Sequence, residues 1–394
     1  MNILFIQRSI EGIGGIMVVT NILAKKMLED GMAVSQVVFD KPQSSAIQLM
    51  DSRIHQYYLE GINYKPANVN MLRKIIKDEH IDVVINQWGL TYQVNKALVK
   101  ATKGLNIKII SVYHNQPNKN GRLSQIELGL TNERNLLKKI FLGVKRFIYE
   151  KLTSYSMRYS YNHSDIYMLL SNSFVSLFKS VTGIQNPKKL KVQTNPLTID
   201  TGKFQYDSQA KAKTIIYVGR LDEFQKRTSR LIYIWEKASS LLPDWNFVLV
   251  GDGGERCRLE KLISDKHLKN IEIVGFQNPK TYYEKASILM LTSDFEGFPL
   301  VLGEAMSFGV VPIVLGSYAA AHDIIKAGYD GVIVARKDSE EKIVKEMANS
   351  LISLAKSKIK LEEMAKNAIK KSKDYALDTI YENWLQHFNA LSKK

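Results

Sequence analysis

The sequence is poor in cysteine: Cys257 is the only one in 394 residues. A single thiol excludes an internal disulfide and any cysteine-rich zinc site, and it makes a reducing cytoplasm the expected compartment. No Asp-x-Asp pair occurs, and the seven histidines with that one cysteine form no ligand spacing, so no tightly held catalytic metal is expected. No apolar run reaches about 18 residues and the N-terminus leads straight into a strand pattern, so neither a transmembrane helix nor a signal peptide is expected. Low-complexity tracts, short repeats, an aromatic-basic RNA-binding pattern and zinc fingers are also missing, which argues against nucleic acid as a partner.

What is present is 45% apolar and 24% charged, the composition of a soluble globular protein. At 394 residues the chain exceeds the size at which one core usually keeps growing, so two domains are the default. The net charge of +16 is uneven: residues 1–200 hold 26 Lys and Arg against 14 Asp and Glu, the remainder 29 against 25. Residues 101–160 alone contribute 11 against 3. Within them, Leu136-Leu-Lys-Lys-Ile-Phe-Leu-Gly-Val-Lys-Arg-Phe-Ile-Tyr-Glu-Lys-Leu152 reads as a basic amphipathic helix. A solvated face, an anionic membrane surface and an acidic partner such as nucleic acid all fit that pattern.

Apolar runs bounded by turn residues give the organisation. Asn2–Gln7 is a strand, followed by the Gly-rich turn Glu11–Gly15, a helix over about 16–30 stopped by Gly31, and a strand at Val34–Phe39. Further buried strands are expected at Val83–Asn86, Lys108–Val112 and Ile166–Leu170. The polar, aperiodic stretch from Asn195-Pro196 to Lys213 marks a boundary. A second alternation follows, with strands at Thr214–Val218, Asn246–Val250, Ile271–Val274, Ile288–Leu291, Val311–Leu315 and Gly331–Val334. Beyond about Leu351 the pattern is helical. The expected fold is α/β, with two tandem Rossmann-like doubly wound domains at 1–198 and 199–375. A last helix over about 376–394 is expected to cross back onto the first domain.

One segment carries the most chemistry. Between Ser293 and Gly309, Glu296 and Glu304 stand eight positions apart around an expected helix over about 299–308, with Pro299 suited to the first helical position and Gly309 to the stop. Leu300, Val301, Leu302, Ala305, Met306 and Phe308 make that helix apolar nearly all round, so Glu304 would be partly buried and in need of partners. Two carboxylates flanking a helix N-terminus suit a ligand built of phosphate and polyol; a turn with a surface Glu is the bland alternative. At the end of another strand, Gly219-Arg220 with Lys226 six residues on can neutralise a diphosphate, or be two surface cations. Val250-Gly251-Asp-Gly-Gly254 is a second turn of this kind, and His114 follows a strand of the first half. Gly12-x-Gly14, with Asp40 about 25 residues later, invites a nicotinamide-dependent oxidoreductase, but Met17 replaces the third glycine.

In order, Gly14-Gly15, His114, Asn195-Pro196, Gly219-Arg220 with Lys226, Gly251-Asp252-Gly253 and Glu296-x7-Glu304 resemble the GT-B glycosyltransferases of family four over nearly the whole chain. The resemblance implies two domains facing across a cleft, a nucleoside diphosphate sugar as donor with uridine the commonest base, and no cofactor or metal. It implies that Arg220 and Lys226 hold the donor diphosphate, helped by Gly219, Gly251 and the amides near Phe298 to Leu300, with Gly297 and Pro299 in the same turn. Glu304 would accept ribose hydroxyls, Glu296 hydroxyls of the transferred sugar, and main chain near Phe276 would face the base. Gly15 would approach the phosphates and His114 the donor sugar. The implied activity is retaining hexosyl transfer to a growing glycan or lipid-linked acceptor in cell-surface polysaccharide or lipopolysaccharide synthesis, in the cytoplasm or on the inner membrane face. The family commonly has Gly-Gly-x-Pro-Glu where this chain has Ala319-Ala-Ala-His-Asp323, so that carry-over stops there. A non-catalytic nucleotide-sugar-binding protein is the other alternative.

Overall fold

Asn2–Gln7 is apolar between its ends and forms β1, buried from Ile3 onward. The computed structural model describes residues 1–9, 14–40, 51–61 and 63–392. Beside β1 lie β2 (Ala33–Val38), β3 (His55–Tyr58), β4 (Val83–Asn86), β5 (Lys108–Tyr113), β6 (Ile166–Leu169) and β7 (Leu190–Val192). All seven are parallel, in the order β3-β2-β1-β4-β5-β6-β7. Central strands of such a sheet are covered on both faces, which is why β1, β4, β5 and β6 are continuous apolar runs in the sequence. Edge strands β3 and β7 were not expected; His55-Gln-Tyr-Tyr58 and Leu190-Lys-Val192 are half-exposed and carry no such run. The Gly15–Glu29 helix after β1 ends where Gly31 turns left-handed, at φ 78°. Most of the Glu11–Gly15 turn, and so Gly12 of the dinucleotide pattern, lies outside the described residues.

The second half repeats the plan. Its strands are β8 (Thr214–Val218), β9 (Asn246–Val250), β10 (Ile271–Gly275), β11 (Ile288–Leu291), β12 (Val311–Gly316) and β13 (Val332–Ala335), parallel in the order β10-β9-β8-β11-β12-β13. β13 begins one residue later than expected. The helical tail is Glu340–Ala355, Lys358–Ser372 and Leu377–Ser392. The chain divides into two compact units, residues 1–195 with 380–394, and residues 196–379. In the first unit the last helix meets the first, Lys26 Nζ lying 5.8 Å from the centre of the Tyr381 ring.

Each sheet therefore reverses its strand order beside its first strand, between β1 and β4 in one unit and between β8 and β11 in the other. Open parallel sheets bind ligands beyond the carboxyl ends of the strands at such a switch point. Among the described residues no helix is long and apolar enough to cross a membrane.

Candidate active site

In the second unit the switch point is framed by the loops after β8 and β11, and hydrogen bonds tie these loops to each other. The Asp222 carboxylate accepts from Gln225 N at 2.6 Å and Lys226 N at 3.4 Å, curling the first loop. Gln225 then reaches across: its side-chain amide donates to Phe295 O at 3.1 Å and to Glu296 Oε2 at 3.2 Å, while its carbonyl accepts from Asp294 N at 2.9 Å. This places Lys226 Nζ 2.6 Å from Glu296 Oε1, with both side chains mostly buried at 16% and 7% exposure. Arg220 shares the loop but is exposed, its Nε 3.6 Å from Asp222 and its Nη2 3.3 Å from Gln225 Oε1. One cation is thus held on a buried carboxylate, and a second lies exposed on Asp222 and Gln225.

A charge network that the sequence reading missed, buried except at Glu340, fixes the second loop. Arg230, 2% exposed, donates to Thr292 O at 2.7 Å, lies 2.8 Å from Asp294 Oδ1, and reaches Glu340 through Nε at 2.7 Å and Nη2 at 2.6 Å. Arg227, in a left-handed conformation at φ 53°, adds a bond to Asp294 Oδ2 at 2.7 Å. Burial pushes the Asp294 carboxyl upward, but Arg230 and Arg227 outweigh it and hold the group below its ordinary value. An ionised network of this kind is costly to break from one side, because the remaining charge stays buried. Its partners are remote in sequence, Asp294 lying 67 positions from Arg227 and Glu340 110 from Arg230, so local pattern could not pair them.

The helix between the glutamates spans Leu300–Ser307, a residue shorter at each end than expected. Pro299 is its N-cap at φ −68°, ψ 106°, not its first helical residue, because that extended ψ precedes the helix. No side chain caps this end, which leaves its first amides without a side-chain acceptor. Gly309 ends the helix at φ 70°, where an added Cβ would lie 2.5 Å from Tyr206. Glu304 is buried, as its apolar helix implies, and its carboxylate accepts from the Thr198 hydroxyl and from Tyr283 OH at 3.0 Å. Burial raises its carboxyl above the ordinary range; those two bonds oppose the shift. Glu304 and Glu296 share no partner, so the helix separates two distinct carboxylate environments.

The Gly251 turn has a steric explanation of its own. Gly219 N donates to Val250 O at 3.0 Å, Leu221 N to Asp252 O at 2.9 Å and Gly251 N to Gly275 O at 2.8 Å, extending the sheet past its strands. A Cβ on Gly251 would stand 1.8 Å from Gly219 O, and one on Gly253 2.2 Å from Leu221 O. Phe276, after β10, is exposed. In the first unit, Gly15 is exposed at the start of its helix. His114 is half-buried, its Nε2 2.7 Å from Gln87 Oε1, and burial lowers its pKa to about 4, so the ring is neutral at physiological pH. Asp40, the acidic residue of the dinucleotide pattern, is paired with Arg8 at 2.8 Å. Among the described residues no group of three or more His, Cys, Asp or Glu could hold a metal ion.

Comparison with known proteins places this geometry. Residues 198–371 match the family model described as glycosyl transferases group 1. Over 317 residues, 80% of this chain and 76% of the relative, the sequence is 28% identical to a Campylobacter jejuni enzyme named GalNAc-alpha-(1->4)-GalNAc-alpha-(1->3)-diNAcBac-PP-undecaprenol alpha-1,4-N-acetyl-D-galactosaminyltransferase. In the next curated relatives the aligned part is half of their length or less. Two solved structures share the fold: the lipopolysaccharide outer core galactosyltransferase WaaB, with a TM-score of 0.70, 18% identity and 99% of each chain covered, and the pneumococcal O-GlcNAc transferase GtfA in complex with UDP and GlcNAc, with a TM-score of 0.74, 14% identity and 100% and 99% covered. These relatives are transferases, which disfavours the nicotinamide reading.

Proposed function

The chain is a glycosyltransferase with the GT-B fold, and from that premise we propose that it moves a hexose-type sugar from a uridine diphosphate donor to a lipid-linked glycan in cell-surface polysaccharide or lipopolysaccharide synthesis. The observation that carries the reading is the Lys226–Glu296 pair at 2.6 Å, set beside an uncapped helix N-terminus at a switch point. Lys226, Arg220 and the amides of Gly297, Phe298 and Leu300 take the donor diphosphate, Pro299 setting the turn between them and Gly219 and Gly251 letting the backbone approach it. Glu296 accepts hydroxyls of the transferred sugar, Glu304 those of the ribose, and main chain near Phe276 meets the base. Fixed cations and helix amides stabilise the leaving diphosphate, so transfer needs no metal ion. The anomeric configuration is retained, the leaving phosphate helping to deprotonate the acceptor. Neutral His114 is a weak base, so no proton-abstracting role is assigned to it. Melting the purified protein against a panel of nucleotide sugars tests this: a uridine diphosphate sugar should raise the Tm and NAD should not. Stabilisation by NAD alone would overturn it.

The acceptor reading extends to location: on the inner face of the cell membrane, a lipid-linked acceptor lies on an anionic bilayer. The Leu136–Asn162 helix supports it, with Leu137, Phe141, Val144, Ile148, Leu152 and Tyr155 exposed at three- and four-residue spacing on one face. Lys138, Lys139, Lys145 and Lys151 share the helix, and at its far end Tyr92 packs against Tyr155 and Tyr159, with Lys96 over the Tyr92 and Tyr64 rings. Apolar insertion flanked by basic and tyrosyl side chains is the chemistry of an interfacial helix. The protein should float with anionic vesicles and not with neutral ones; equal behaviour with both would remove the membrane from the proposal.

A further inference from the structure

The loops after β11 and β12 contain two hydroxyls that the folded chain does not satisfy. Ser293 Oγ and Tyr318 OH are buried, at 0% and 2% residue exposure, with no hydrogen-bond partner among the described residues. Asp294 Oδ1, also unsatisfied as a hydrogen-bond acceptor, is at least ion-paired with Arg230 at 2.8 Å. These three are the unsatisfied buried side-chain atoms of the second unit, and all lie at one edge of its sheet. The two loops are joined there, Ser317 Oγ donating to Ser293 O at 2.5 Å. Tyr318 is close enough to Glu296 that, after burial itself, the Glu296 charge is the other influence holding its phenol well above the ordinary value.

A buried hydroxyl without a partner costs about 1–3 kcal/mol, and most such groups in folded proteins are bonded. Removing an unsatisfied hydroxyl should therefore not destabilise the chain. A carboxylate only accepts hydrogen bonds, whereas each sugar hydroxyl also has lone pairs to fill. A sugar hydroxyl that donates to Glu296 still needs an O–H or N–H aimed at its own oxygen. Lys226 can supply one such donor, but the diphosphate competes for it.

Resting on the donor-site reading above, we infer that Tyr318 OH and Ser293 Oγ are ligands of the transferred sugar, completing with Glu296 a donor-and-acceptor set that selects among sugars by the placement of their hydroxyls. The segment that carries Tyr318 is also where this chain departs from the Gly-Gly-x-Pro-Glu pattern, so the selection is a property of this chain's own residues.

The test compares Tyr318→Phe and Ser293→Ala with the parent protein, measuring Tm and binding of a uridine diphosphate sugar and of uridine diphosphate alone. Tyr318→Phe should keep or raise the Tm and bind uridine diphosphate as before. It should bind the sugar nucleotide about 10-fold more weakly, with a matching rise in donor KM, a smaller change in kcat and poorer discrimination between epimeric donors. Ser293→Ala should act in the same direction with a smaller effect. A fall of several degrees in Tm with unchanged sugar-nucleotide binding would show a structural hydroxyl bonded within the fold and would overturn the inference. If the parent protein binds uridine diphosphate but gains nothing from the attached sugar, the inference fails while the diphosphate site stands. If it binds neither, both fail together.

Discussion

The two units have nearly the same sheet, yet they furnish its carboxyl edge in opposite ways. In the second unit that edge is ionised: Lys226 with Glu296, and Arg230 and Arg227 with Asp294 and Glu340. In the first unit the buried polar groups near the switch point are neutral. Gln7 donates to Gln36 at 3.2 Å, Asn86 to Asn95 at 2.9 Å, and His114 pairs with Gln87. The first unit's large positive charge sits instead on exposed helices. The parallel fold dictates where a ligand edge lies but not its electrostatics. An edge of paired charges can exchange one partner for an anionic ligand; an edge of amides offers neutral donors and acceptors that suit hydroxyl-rich groups.

Four measurements would break or sharpen this contrast. Arg230→Met leaves Asp294 with Arg227 alone and the exposed Glu340 unpaired, and should cost about 2–4 kcal/mol in urea unfolding; a loss under about 1 kcal/mol would mean the network is not truly desolvated. Lys226→Ala and Glu296→Ala should each lower transfer by about 10²–10³-fold while the protein stays folded by circular dichroism. Full activity in either variant would remove that residue from the site. Gly251→Ala should destabilise by about 2–4 kcal/mol through its clash with Gly219 O. Gly14→Ala, whose Cβ would meet nothing within 4 Å, should change stability by no more than about 0.5 kcal/mol.

A further effect is set by pH and concerns His114. Its folded pKa is depressed to about 4, so between that value and the ordinary 6.5 the unfolded chain binds the proton and the folded one does not. Stability from this group is therefore present above about pH 6.5 and is lost as pH falls towards 4. Allowing for its partial exposure, the loss at pH 5 should be about 1–2 kcal/mol, and His114→Asn should shrink the difference in unfolding free energy between pH 7 and pH 5 by that amount. An unchanged difference would mean the ring is protonated in the folded state.

The central strands were legible because burial on both faces leaves an unbroken apolar run, and Val83–Asn86, Thr214–Val218, Asn246–Val250 and Ile288–Leu291 match the sequence reading residue for residue. β3 and β7 were not, since an edge strand can be polar. In the site, Glu304 announced its burial through the apolar residues around it, but its partners Thr198 and Tyr283 lie 106 and 21 positions away. Gln225 could not be seen as the bridge between two loops, nor Tyr318 as an unsatisfied phenol, because neither property exists until β8, β11 and β12 are side by side. Local pattern reports what a residue needs, and only the fold reports whether the need is met.

The glycines that pack the β8 and β9 loops against each other have an evolutionary corollary. A Cβ at Gly251 is forbidden by the main chain whether or not any sugar is ever transferred, whereas Lys226 and Glu296 face no such steric veto. A descendant relieved of selection for catalysis would be free to lose the ion pair while the glycines persisted. The glycine turns therefore report the fold, and the lysine and glutamate are the positions to inspect when asking whether a related sequence still turns over.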